Sequence, residues 1–117
     1  MSAPRRDWRA RLAQRSLVPV DVWSVYVIRT ADGALYTGIA KDVARRLAEH
    51  RAGRGARFLR GRSPLVLVWK RRVGERGLAL RVEWALKRCT RPEKEAIVAA
   101  RSRLGTLLRR LDLAPIE

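Results

Sequence analysis

The chain has 117 residues, which suits one domain around one hydrophobic core, and its 47% hydrophobic content argues against disorder. Twenty-seven Lys and Arg stand against eleven Asp and Glu, a formal charge of +16 that folding does not require and that self-repulsion opposes. Such an excess points to a polyanionic partner, and the dominance of arginine, with its planar donor fork, points to phosphate. The single cysteine, Cys89, excludes an internal disulfide and a cysteine-cluster metal site. No apolar run reaches the roughly 20 residues a bilayer span needs. The first 15 residues are basic without the apolar stretch of a secretory signal, so a soluble cytoplasmic or nucleoid-associated protein is expected, a monomer or weak homodimer.

Residues 1–20 read as a basic leader, 21–103 as the domain and 104–117 as a tail that packs on it. Val22–Thr30 is rich in β-branched and aromatic residues and predicts a strand. Ala31-Asp32-Gly33 is a turn, and Ala34–Ala40 predicts a second strand, making a hairpin. Asp42 can cap a helix over Val43–Ala52, stopped by Gly53. Residues 53–64, with three glycines and four arginines, read as a loop. Leu65–Val73 returns to strand character, and a helix is expected over Glu75–Cys89. Thr90-Arg91-Pro92-Glu93 then has the form of a capping box opening a helix to about Arg103. The expectation is an α+β fold, a small three-stranded, mainly antiparallel sheet flanked by helices in the order β-β-α-β-α-α. The third strand lies too far along for a hairpin with the second and must add to a sheet edge after the helix.

Two tyrosines lie on the hairpin, and its turn decides whether they share a face. A two-residue Asp32-Gly33 turn pairs Ala31 with Ala34 and sets Tyr26 and Tyr36 on opposite faces. A three-residue loop with Gly33 left-handed pairs Thr30 with Ala34 and sets both phenols on one face. The spacing is compatible with both.

Ser24-Val25-Tyr26, then Tyr36-Thr37-Gly38, then Asp42–Leu47 with His50, then Leu80-Arg81-Val82-Glu83, resemble in order and spacing the GIY-YIG nuclease superfamily, especially its small stand-alone bacterial members. The likeness runs from about Val22 to Ala99. The first motif reads SVY instead of GIY and the second YTG instead of YIG; both keep the tyrosine, and the second keeps its glycine.

On spacing alone Arg46 and His50, four residues apart at the border of a helix's apolar stripe, read as a solvated arginine and a surface histidine. The resemblance implies instead that Arg46 clamps a phosphate and His50 takes a proton or hydrogen-bond role. Asp32, Asp42 and Glu93 have turn and cap roles, four further acids lie near the termini, and Glu49, Glu75, Glu83 and Glu95 remain. Glu83 read locally is an ion-pair partner of Lys87; the resemblance implies that it binds one Mg²⁺ or Mn²⁺. One carboxylate suffices where waters and substrate oxygens complete the shell.

The resemblance thus implies a metal-dependent endonuclease acting on DNA, with RNA the alternative polyanion, structure-selective and linked to DNA repair or processing. Tyr26 is the expected general base, made anionic by Arg46 and the metal, with Tyr36 and His50 orienting or relaying. Gly38 is expected to let backbone or substrate approach the sheet closely. Lys41, Arg54, Arg57, Arg60 and Arg62 are expected to grip the nucleic-acid backbone. The rival reading is a binding module on a nuclease fold with little cleavage activity; a structural ribonucleoprotein component rests on arginine content alone.

Overall fold

The computed structural model describes residues 22–99. The leader, the tail and the continuation of the last helix toward Arg103 lie outside them. The elements are β1 (Trp23–Arg29), β2 (Leu35–Ala40), α1 (Val43–Arg51), a 3₁₀ turn (Arg57–Leu59), β3 (Val66–Gly74), α2 (Arg76–Lys87) and α3 (Arg91–Ala99). The sheet order is β2-β1-β3 with both pairs antiparallel. The third strand therefore joins the free edge of β1. Being central, β1 is covered on both faces, which is why WSVYVIR lacks the polar alternation of a one-sided strand.

The turn takes the three-residue form. Thr30 N–H donates to the Ala34 carbonyl at 2.9 Å, Gly33 N–H donates back to the Thr30 carbonyl at 2.9 Å, and Gly33 has φ 88°. Only a residue without Cβ enters that backbone region cheaply. The register that follows sets Ile28 opposite Tyr36 and Tyr26 opposite Gly38, so both phenols share one face.

Side chains alternating along β1 feed two separate cores. Val25 and Val27 join Trp69 and Val73 of β3 against Val82 and Leu86 of α2 and Ile97 of α3. Tyr26 and Ile28 join Val43 and Leu47 of α1 with Leu59 and Leu65 of the following loop. Asp42 accepts from Arg45 N–H at 3.0 Å and caps α1. Thr90 and Glu93 exchange capping-box bonds at the start of α3. The Arg29 guanidinium grips both oxygens of Glu95 at 2.9 and 2.7 Å, tying β1 to α3.

The arginine-rich loop is bound more tightly than its composition implies. Leu59 is buried in the second core, Ala31 N–H donates to the Arg62 carbonyl at 3.0 Å, and the Arg51 guanidinium donates to the Leu65 carbonyl at 2.9 Å. These bonds fold the loop back over the end of α1, where His50 lies.

Candidate active site

Tyr26 projects from the middle of β1 and is 2% exposed. Its ring lies over Gly38, where an added Cβ would come within 2.5 Å of Oη and 2.7 Å of Cζ. Gly38 was expected to let backbone or substrate approach the sheet closely, and the group that comes close to it is the Tyr26 phenol.

The phenol meets His50, whose Nε2 lies 2.8 Å from Oη. His50 is 2% exposed, not at a solvated border, because the loop after α1 covers it. Its Nδ1 accepts from Ala56 N–H at 3.0 Å. A backbone N–H can only donate, so Nδ1 carries a lone pair and neutral imidazole bears its proton on Nε2. His50 therefore donates to Tyr26, and the Tyr26 hydroxyl hydrogen is free to point elsewhere. Gly55 makes this approach achievable, since a side chain there would collide with His50 Nδ1 and reach 2.9 Å from its Cα. Burial, with the Arg46 charge second and Glu49 opposing, holds His50 below its ordinary pKa, which keeps the imidazole neutral.

Tyr36 closes the group, its ring 6.4 Å from that of Tyr26 and edge-on to His50 at 5.6 Å. Arg46 donates to Glu49 at 2.8 Å, and its guanidinium lies close enough to favour the charged form of the Tyr26 hydroxyl. Burial is nonetheless the largest influence on Tyr26, with Tyr36 next, and its pKa is pushed up to about 12. Arg46 acts in the expected direction, toward the phenolate, and in the protein alone desolvation outweighs it.

Glu83 stands on α2, which touches β2, the edge strand. Its side chain is 17% exposed, it pairs with Lys87 at 3.3 Å, and its charge adds to the upward pressure on Tyr26. The other unassigned acids have different surroundings. Glu95 is held by Arg29 and Arg91, Glu49 by Arg46 and Arg45, and Glu75 is the N-cap position of α2. Among the described residues no three His, Cys, Asp or Glu side chains converge as a metal cage. The donor set fits a hard ion such as Mg²⁺ bound through one carboxylate with water and phosphate oxygens, and does not fit a closed protein-only site.

The four motifs fall within the span that a family model matches. Residues 22–96 match the family model described as the GIY-YIG catalytic domain. The chain belongs to the GIY-YIG family. It is 51% identical over 95 residues to a UPF0213 protein of Citrobacter koseri, covering 81% of this chain and 95% of that relative. It is also 52% identical over 80 residues to a UPF0213 protein of Aeromonas salmonicida, covering 68% of this chain but only 59% of that relative's length. A UPF0213 protein of Bacillus halodurans, solved by solution NMR, is 34% identical and covers 74% of this chain and 96% of its own, with a TM-score of 0.46.

Around the GIY-YIG tyrosines the cations divide into two sets. Arg54, Arg57 and Arg60 are exposed on the loop, while Arg62 is engaged by Asp32 at 3.0 Å. Lys41 is not with them. It follows the far end of β2 and lies 5.6 Å from the Trp23 ring centroid, with Arg76 at 5.5 Å from the same ring. These three side chains, with Arg45, Arg46 and Glu49, line a cavity of about 420 Å³. The cations expected to grip the nucleic-acid backbone thus fall in two patches, with Arg46 on the wall of the second.

Three residues of this site were not singled out by sequence reading. Glu49 orients Arg46, and the signal was its i+3 spacing from Arg46 on one helix. Gly55 admits His50, but a Gly-rich loop gives no hint of which glycine matters. Trp23 organises Lys41 and Arg76, which are distant from each other in sequence.

Proposed function

We propose that this chain is a divalent-metal-dependent endonuclease that hydrolyses DNA phosphodiester bonds. The observation that carries the reading is the buried Tyr26 phenol, in contact with the Nε2–H of His50 and under the influence of both Arg46 and Glu83. A structural tyrosine needs one hydrogen-bond partner; a phenol that accepts from a neutral imidazole beside the Arg46 charge suits a group that gains and loses charge.

In this reading Tyr26 takes the proton of the attacking water. The form that accepts this proton is the phenolate, whose negative oxygen His50 Nε2–H and the Arg46 guanidinium stabilise by charge-assisted hydrogen bonds until the transfer leaves the neutral phenol. His50 acts as a donor to Tyr26, and its other nitrogen is committed to the Ala56 amide. Tyr36 walls the phenol and orients the water or phosphate. Glu83 is the residue that would hold Mg²⁺ or Mn²⁺, an ion that supplies Lewis-acid charge at the phosphate. Arg46 faces the phosphoryl group once its hold on Glu49 is exchanged for phosphate. Arg54, Arg57 and Arg60 grip the backbone on one side and Lys41 on the other, so binding falls steeply with salt. Structure selectivity and a role in DNA repair or processing fit a domain too small to read a long sequence.

With the Tyr26 pKa pushed up to about 12, the phenolate is scarce near neutrality. Cleavage should therefore rise with pH through the neutral and mildly alkaline range. The same observation favours the rival, a binding module whose phenol never ionises. Supercoiled and branched DNA incubated with Mg²⁺ or Mn²⁺ separates the two. Cleavage is expected, falling about 100- to 1,000-fold in Glu83→Ala and Tyr26→Phe, the scale for losing a transition-state group. Undiminished cleavage by either variant would remove the mechanism, and binding without cleavage would favour the rival.

A further inference from the structure

Phe58 and Leu59 are neighbours on the 3₁₀ turn with opposite surroundings. Leu59 is 1% exposed and anchors the turn in the core, while Phe58 is 45% exposed. The Phe58 ring stacks on Tyr36, centroids 6.0 Å apart and planes 20° apart. Tyr36 in turn meets His50 and Tyr26, so aromatic rings run without a break from the buried phenol to the surface. On Phe58 this series ends beside exposed Arg57 and Arg60, with the Arg62 guanidinium 4.1 Å from its centroid.

A flat apolar ring rimmed by guanidinium groups is complementary to a nucleobase carried between phosphates. Bases inside a duplex are already stacked on one another and gain little from such a ring. A base that has lost its pairing partner gains a stack it otherwise lacks. We propose that Phe58, backed by Tyr36, is a stacking platform for an unpaired base, so that the preferred substrate is DNA with unpaired nucleotides next to the cleaved bond. This deepens the nuclease reading and rests on it for the position of that bond.

Arg62 does not block the platform. Its ion pair with Asp32 faces solvent, the two side chains being 36% and 62% exposed, and such pairs are weak. An entering base can take its place over Phe58, releasing Arg62 to the neighbouring phosphate.

The test uses the full chain in EDTA and a duplex with a single-stranded flap carrying 2-aminopurine at the first unpaired position. The comparison probe is the same duplex with 2-aminopurine paired internally. Wild-type protein is expected to quench the flap probe and to prefer it to the duplex about 10-fold, on the scale of one base–aromatic stack. Phe58→Ala should bring that ratio close to one and lose the quenching, and Phe58→Tyr should restore both. Equal ratios and equal quenching in wild type and Phe58→Ala overturn the proposal, as does wild type without flap preference. Quenching by a protein that cleaves no DNA in Mg²⁺ would remove the nuclease reading and leave the platform standing. Cleavage of duplex without flap quenching would do the reverse.

Discussion

The two faces of the sheet are built from alternate residues of the same strand, yet they differ in what they bury. Toward α2, β1 contributes Val25 and Val27, and the partners are Trp69, with one buried indole N–H, and the aliphatic Val73, Ala79, Val82, Ala85, Leu86 and Ile97. Toward α1 it contributes Tyr26 and Ile28, and the same depth holds a phenol bonded to an imidazole. The first face gains stability from close-packed apolar surface. The second places polar groups where each needs a partner, and Gly38 and Gly55 give up side chains to admit Tyr26 and His50. A central strand covered on both sides lets one small domain separate the core that holds it together from the core that would do chemistry.

Substitutions on the two faces should separate stability from activity. Leu86→Ala, at a site 2% exposed, is expected to lower unfolding free energy by about 2–5 kcal/mol while cleavage per folded molecule stays intact. Denaturant titration beside single-turnover cleavage reads both. Gly38→Ala should cost less stability, about 1–3 kcal/mol as for overpacking, because the new methyl meets a ring that can tilt. It should nevertheless suppress cleavage strongly, since the tilt draws Oη away from His50.

The second face should also carry its own pH response. His50 has a folded pKa below its ordinary value of 6.5, so the unfolded chain binds a proton that the native state refuses. Its contribution to stability is full above about pH 6.5 and is lost as pH falls below it. Melts at about pH 7.5 and about pH 5.5 should show a steeper acid loss in wild type than in His50→Gln. Equal slopes would contradict the buried neutral imidazole. The smallest effect belongs to the rim: Arg45→Ala removes an exposed ion pair with Glu49 worth about 0–1 kcal/mol. It should leave the melting temperature nearly unchanged.

Much of the fold was readable from local chemistry. The β-branched runs gave both hairpin strands to within a residue, and Asp42 and the Thr90–Glu93 box marked helix starts that the structure shows capped by those side chains. The register was not readable, because Asp32-Gly33 suits two turns and only the Ala34-to-Thr30 pairing distinguishes them. The site residues were found through their resemblance to a family, and their surroundings were not. His50 is buried because the loop that follows α1 folds back over it, and helix periodicity carries no information about that. Arg46 favours the Tyr26 phenolate as its charge requires, and desolvation, a property of the assembled core, outweighs it in the protein alone. Lys41 was grouped with the loop arginines by charge alone, and the length of β2 separates them.

The central claim is that Tyr26 serves chemistry while its strand neighbours serve the fold. Its most direct test is single-turnover cleavage of branched DNA in Mg²⁺ by wild-type and Tyr26→Phe protein, compared at equal folded fraction. The account predicts that Tyr26→Phe remains folded and binds the DNA, yet cleaves about 100- to 1,000-fold more slowly. A folded Tyr26→Phe protein that cleaves at the wild-type rate would contradict it.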